Sequence, residues 1–252
     1  MRIIRETLML YRVHLAYTFK TKIGIIMGMI QPILYLVLFG PLLIKITPGT
    51  GGGSNSWTVF VPGVLVYLAL FGPGFAGFSI ISDLRAGVIE RMRVTPVSRL
   101  AMLMGRVLNN LTIMIVQAVL VTAAGFALGM RAQLLGIFLG LVILSFLAAG
   151  LAALSLALGV GLKSEDQFAP VVTFAALPIM LLSGILLPMS LAPPWLDVLS
   201  RLNPLRYIVD GVRDLFSGHY SGSTVLWGFV AAVGMCVACV AAGTRMFNKE
   251  NA

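Results

Sequence analysis

Six stretches of the chain contain no Asp, Glu, Lys or Arg: Ile23–Ile44, Trp57–Ser82, Val107–Met130, Ala132–Leu162, Gln167–Leu196 and Tyr220–Thr244. Each reaches the ~20 residues a helix needs to cross ~30 Å of hydrocarbon. None shows the alternation over about ten residues that marks a barrel strand. Helices, whose backbone groups are satisfied internally, are therefore the expected spanning elements. The pattern predicts an all-α, polytopic membrane protein with six transmembrane helices.

The polar intervals are structured too. Over residues 1–22, Ile4, Leu8, Tyr11, Leu15 and Phe19 recur at helical spacing among five basic residues. This predicts an amphipathic interfacial helix ahead of the first span, with a loose basic tail as the alternative. The basic segment is longer than the n-region of a cleavable signal, and a full-length span follows it without an A-x-A-like exit. The first outer loop, "TPGTGGGSNS", is Gly/Ser-rich and flexible, and the third and fourth spans meet in a tight turn around Arg131. Ser164 and Gln167 fit a capping box that opens the fifth helix. In the fifth run Pro178, Pro188, Pro193, Pro194 and Pro204 each remove a helical donor. The span should end near Pro188, and two short amphipathic helices, Trp195–Leu202 and Leu205–Phe216, should fill the outer segment 189–222. Arg206, Asp210 and Arg213 fall three or four apart there, so local pairing lowers their cost near the membrane. The alternative to re-entrant helices is a solvated loop. No linker divides the chain, so 1–252 is expected to be a single domain.

One interval breaks the pattern. "SDLRAGVIERMRVTPVSR", residues 82–99, holds six charges between two long uncharged runs. Built as a helix from Ile81 to Met92, it gathers Ile81, Leu84, Val88 and Met92 within an arc of about 80°. Asp83, Glu90 and Arg93 lie opposite, and Thr95-Pro96 ends the element. A loop that only anchors helix ends needs a few Lys or Arg; interleaved acids suit a specific protein partner.

Composition adds orientation. Charged residues are 11% of the chain and its mean hydropathy is +0.99, whereas roughly a quarter of a soluble domain is charged. Thirteen of the eighteen Lys and Arg fall on the side that holds both termini, the 82–99 stretch and Lys163. By the positive-inside rule that side is cytoplasmic. The net charge of +9 suits anionic inner-leaflet lipid; its spread along helix ends argues against nucleic acid.

Several chemistries are excluded. "GPGFAG", Gly72 to Gly77, lies inside a span with no strand before it, so it is a packing and kink site rather than a dinucleotide site. Gly24/Gly28, Gly125/Gly129 and Gly136/Gly140 have the spacing of tight helix crossings. No phosphate loop occurs. Cys236 and Cys239 lack the further ligands of a zinc site, and no metal site is expected. The only histidines, His14 and His219, lie outside the spans, which leaves no base for an intramembrane enzyme. "NPLR", Asn203 to Arg206, is half of an aquaporin-like signature without its second half.

"DLRAGVIERMRVTPVSRLAMLMGRVL" and "LLSGILLPMSLAPPWLDVLSRLNPLRYIVDGVR" resemble the permease subunit of type-2 (ABC-2) ATP-binding-cassette exporters, the daunorubicin-resistance-type drug exporters in particular. The resemblance runs from the interfacial helix to the last span. It implies that the loop 82–99 carries a coupling helix docking into a separate cytoplasmic ATPase. Asp83, Arg85, Gly87, Glu90, Arg91, Arg93, Thr95 and Pro96 would form that surface, with Glu90 in the acidic position. It implies re-entrant outer helices gating the exit, at Pro188, Pro194, Trp195, Asn203, Pro204, Tyr207 and Asp210. Arg206 departs from the small polar residue usual there and leaves the charge of the outer vestibule open.

The implied function is ATP-driven export of a hydrophobic or amphiphilic, drug-like or lipid-like compound. The alternatives are export of a lipid-linked polysaccharide or, on a different principle, a secondary transporter or channel. The chain itself is expected to be no enzyme and to hold no cofactor, ATP and Mg being bound by the partner subunit. A second copy of the chain, or a paralogous permease, would complete the path in the plasma or inner membrane of a prokaryote. Tyr35, Phe39, Phe71, Phe75 and Phe78 would line the path or, alternatively, pack or face lipid.

Overall fold

The computed structural model describes residues 2–20, 28–38, 40, 56–87, 99–185, 189 and 192–249. Among them every regular element is a helix. They are α1 (Arg2–Lys20), α2 (Gly28–Leu38), α3 (Ser56–Gly74), α4 (Gly77–Arg85), α5 (Arg99–Ala127) and α6 (Leu134–Leu162). Then follow α7 (Glu165–Leu181), α8 (Pro194–Ser200), α9 (Pro204–Phe216) and α10 (Ser223–Lys249).

Four segments are long and apolar enough to cross a membrane: Trp57–Arg85, which joins α3 to α4, with Ala101–Ala127, Leu134–Leu162 and Ser223–Met246. The first run contributes only Gly28–Leu38 to the described residues, and the fifth gives the 17-residue α7. At 1.5 Å per residue α7 is about 25 Å long, short of the ~30 Å hydrocarbon core. Its helix stops at Leu181 rather than near Pro188, which lies outside the described residues. The Ser183 hydroxyl folds back onto the Met180 carbonyl and Gly184 turns left-handed at φ 76°, so the chain leaves the axis there.

α6 is the hub, packing on α3, α4, α5, α7, α9 and α10. Hydrocarbon is as apolar as leucine, so close approach and hydrogen bonds, rather than apolar burial, must hold such helices together. Small residues supply the approach. At Gly136 a side chain would collide with the Leu215 carbonyl of α9, and at Gly150 it would press on the Cys236 backbone of α10. Cys236 and Cys239 carry free thiols, and this seam accounts for Cys236 as a packing residue.

The kink expected at Pro73 is a full break between α3 and α4. Ser155 of α6 stitches it: its hydroxyl donates to the Gly74 carbonyl (2.6 Å) and accepts from the Gly77 N–H (2.9 Å). Both backbone groups would otherwise be orphaned in the membrane. The tight turn at Arg131 is present, with Gly129 left-handed at φ 97°. The capping box is not. Ser164 occupies the N-cap of α7 with extended backbone, yet its side chain makes no capping bond. Glu165 and Asp166 in the first turn complement the helix dipole instead.

Candidate functional site

The C-terminal end of α4 is where the charged stretch begins. The helix expected to run unbroken from Ile81 to Met92 ends at Arg85, capped by Ala86. Gly87 then turns left-handed at φ 66°, with nothing within 4 Å of where its side chain would be. Glycine tolerates that conformation at no steric cost, and this is how helices commonly terminate. The two charges before the turn face their own chain. Asp83 accepts from Arg106 of α5 at 2.5 Å, and Arg85 reaches Glu165 of α7 at 3.2 Å. Both members of the second pair are well exposed, so it contributes little. Glu90, Arg91, Arg93, Thr95 and Pro96 lie outside the described residues.

α1 joins the same junction by packing along α5. Tyr11 Oη lies 2.9 Å from Thr112 Oγ1, and Thr18 hydrogen-bonds Asn109. His14 sits between them; burial and the Arg106 guanidinium pull its ring below the ordinary value, against an opposing pull from Asp83. α1 is therefore bonded to the bundle through the very face that holds Tyr11. Ile4, Leu8, Val13 and Tyr17 stay exposed.

A second cluster of charges gathers at α8 and α9. Asn203 and Pro204 work as a helix start: the Asn203 carbonyl oxygen accepts from the Leu205 N–H at 3.0 Å, while Pro204 fills the first turn, where no N–H is needed. The Asn203 amide also donates to the Ile179 carbonyl at 2.7 Å, tying α9 to the end of α7. Tyr207 Oη donates to the Arg201 carbonyl, while Pro194 and Trp195 are exposed at the start of α8. Leu205, Ile208, Val209, Val212 and Phe216, which share one face at helical spacing, are all at most 1% exposed. That face is part of the bundle's core.

The local pairing expected from spacing is present, and each arginine also has a closer partner. Arg206 and Arg213 stand 3.7 and 3.9 Å from Asp210. Arg206 reaches Asp197 of α8 at 2.6 Å and also donates to the Ser200 hydroxyl. Arg213 of α9, 8% exposed, donates to the carbonyls of Val59, Gly184 and Ile185. The charge left open at Arg206 is thus matched by Asp197, nine residues earlier. Sequence spacing singled out neither Asp197 nor the carbonyls; the only signal was an acid in the first turn of a Pro-initiated helix.

Hydrogen bonds from Arg201 and Arg206 hold the Asp197 carboxyl below the usual carboxylate range. A carboxyl depressed in the fold stabilises it above the ordinary value of about 4, and that support is lost as pH falls through the lower, folded value. In a chain keeping Trp195 as its sole tryptophan, emission should stay constant from pH 7 to about 4 and change below it. Asp197→Asn should remove that step; a change centred near neutral pH would contradict the pairing.

Between the two clusters runs an aromatic ladder. Successive ring centroids lie 5.3 Å (Tyr35–Tyr67), 4.5 Å (Tyr67–Phe71), 6.0 Å (Phe71–Phe75), 5.8 Å (Phe75–Phe78) and 4.9 Å (Phe78–Phe168) apart. Tyr35, Phe71, Phe75 and Phe78 are half-buried, and Phe39's side chain lies outside the described residues. Tyr67, four positions before Phe71, and the fully buried Phe168 complete the ladder and were not singled out by sequence.

Residues 6–217 match the profile of a family described as ABC-2 type transporter. Among curated proteins, the chain is 28% identical to ycf38 of Cyanophora paradoxa, which carries a transport-permease name, over 79% of this chain and 69% of that one. It is 24% identical to the daunorubicin resistance ABC transporter permease protein DrrB1 of Streptomyces coeruleorubidus, over 88% and 79%. It is 28% identical to the inner membrane transport permease YadH of Escherichia coli K12, over 73% and 72%.

Proposed function

We propose, from the premise that the chain belongs to the ABC-2 type transporter family, that it is the membrane subunit of an ATP-driven exporter. Its cargo is a hydrophobic or amphiphilic compound, drug-like or lipid-like. The supporting observation is the junction at Gly87, where a charged stretch leaves the bundle between two long apolar helices in a chain without a phosphate loop. A subunit that cannot bind ATP phosphates through such a loop needs a partner, and 82–99 is the surface proposed to meet it. ATP-driven closure of the partner pair would move this stretch as a lever and open the outer end, a gating transition of packed helices.

In this reading the chain has six spans, the first and fifth runs included, and pairs with a second copy or a paralogous permease in a prokaryotic plasma or inner membrane. The outer segment 189–222 gates the exit and the aromatic ladder lines the path. Export of a lipid-linked polysaccharide is the second reading, favoured by nothing specific among the described residues. Co-purification of a cytoplasmic ATPase, with ATP-dependent efflux from reconstituted vesicles across a panel of amphiphiles, tests the proposal. Failure to recover any ATPase with the intact chain would reject it.

Topology has its own test. Cysteines placed at Ser54 and Ser221 in a background without Cys236 and Cys239 should label from outside intact cells. One at Ser164 should label only after permeabilisation. Labelling at Ser164 but not at Ser54 in intact cells would invert the orientation and place 82–99 outside, away from ATP.

A further inference from the structure

Asp83 and Arg106 flank the charged stretch. One lies in the last turns of α4 before Gly87; the other lies two turns into α5, seven residues after Arg99. Their contact at 2.5 Å therefore closes the base of the stretch like a clasp. Arg106 is 5% exposed and Asp83 32%. The pair stands against a third element, because α1 crosses α5 at this level. A side chain at Gly105 would touch Leu10 Cβ at 3.0 Å and the Tyr11 backbone nitrogen at 3.3 Å. Tyr11–Thr112 and Thr18–Asn109 extend that seam, and His14 of α1 lies near enough to sense both charges.

Two simpler roles fit poorly. A charge that only anchors a helix end at the cytoplasmic surface would be exposed and would need no acid, since the positive-inside rule nearly ignores acids. A docking surface for a partner would keep Asp83 available, whereas here it is committed to a guanidinium buried within the chain. With one partner desolvated, removing either member leaves an uncompensated charge, so the pair holds its helices together more firmly than a surface pair would.

We propose that Asp83–Arg106 is a transmission clamp, with Arg106 as a positioning residue. It ties both ends of the 82–99 stretch to each other and, through the α1–α5 seam beside it, couples them to α1, so that a pull on the stretch moves α1, α4 and α5 as one body. Without it, a partner could displace the stretch while the helices behind it stayed in place. The proposal rests on the reading of the chain as an ATPase-driven permease.

Spin labels at Met9→Cys on α1 and Ser82→Cys on α4, with Cys236 and Cys239 replaced by Ala, report the relative placement of these elements. Both label sites are exposed. The wild-type chain in vesicles should give one narrow distance, unchanged when the ATPase partner is bound and trapped with a non-hydrolysable ATP analogue. Arg106→Gln should still bind the ATPase within twofold but give a broadened or shifted distribution on trapping. Arg106→Lys, which keeps the charge, should restore the narrow one. Asp83→Asn, which alters the more exposed partner and leaves α5 intact, should give the same broadened or shifted distribution whatever its ATPase affinity, since Asp83 itself lies within 82–99, and so separates the clamp from a folding defect. A wild-type distribution in both Arg106→Gln and Asp83→Asn would overturn the clamp, as would Arg106→Lys behaving like Arg106→Gln. If no ATPase binds even the wild-type chain, the transport reading fails. The clamp is then decided by the permease alone, where loss of the pair must broaden the Met9–Ser82 distance and an unchanged distance rejects it.

Discussion

Glu90→Ala should leave the chain inserted and folded but abolish transport and depress ATP hydrolysis by the complex. If 82–99 is the docking surface proposed above, it transmits force only if its polar face is held in a groove of the ATPase, and Glu90, the acid that follows Gly87 in sequence, is the one proposed to meet a donor there. Asp83, the other acid of the stretch, is occupied by Arg106, which leaves Glu90 to make that contact. Truncating one member of a buried, hydrogen-bonded charge pair costs roughly 2–5 kcal/mol, largely because the other charge is left unpaired. At about 1.4 kcal/mol per decade that is ~30-fold or more in partner affinity. Arg99→Ala, past Thr95-Pro96 at the start of α5, should do much less. A loop that merely satisfies the positive-inside rule requires the reverse ranking, because that rule counts Lys and Arg. Efflux and hydrolysis measured on both variants in reconstituted vesicles decide between the two, and a fully active Glu90→Ala complex would remove the coupling role.

The second large effect belongs to Arg213. Its guanidinium reaches three backbone carbonyls, of Val59 in α3 and of Gly184 and Ile185 beyond α7, from a position only 8% exposed. One side chain thus joins α9 to the two elements beside it. Arg213→Met keeps much of the apolar stem yet orphans the Gly184 and Ile185 carbonyls and leaves Asp210 without one of its two cations. Breaking a buried charged contact of this kind costs about 3–5 kcal/mol, or a fall of roughly 10 °C in thermal midpoint for a chain of this size. Arg213→Lys should recover little, because a compact ammonium cannot span carbonyls that a planar fork reaches together. Thermal unfolding in detergent reads this directly, and a Met variant within about 2 °C of wild type would show that the contacts are incidental.

How far the sequence carried can be judged at particular residues. Leu205, Ile208, Val209, Val212 and Phe216 fall on one face by spacing alone, while the burial of that face and the Asn203-Pro204 start of α9 came only with the structure. Gly136 and Gly140 announced a close crossing. What was not readable was the partner across it, which is the carbonyl of Leu215. The helix drawn from Ile81 to Met92 failed at Gly87, where apolar periodicity continues past a residue whose backbone turns left-handed. Periodicity reports which face is apolar, and it is blind to a single reversed φ.

The sequence by itself determined the solvent and the helical class. Uncharged runs of spanning length, amphipathic intervals and the bias of Lys and Arg are sums over local composition, and a bilayer reads such sums without reference to the rest of the fold. The tertiary structure alone decided which charges meet. Spacing on one helix favoured Arg206, Asp210 and Arg213 as a set, yet Arg206 pairs most closely with Asp197, Arg213 with backbone carbonyls, and Arg106 with Asp83 across the charged stretch. In a low-dielectric bundle a charge takes whatever partner helix crossings bring within hydrogen-bond reach. Glycines and Ser155 on α6, far from those charges in sequence, set how α6 meets α4, α9 and α10.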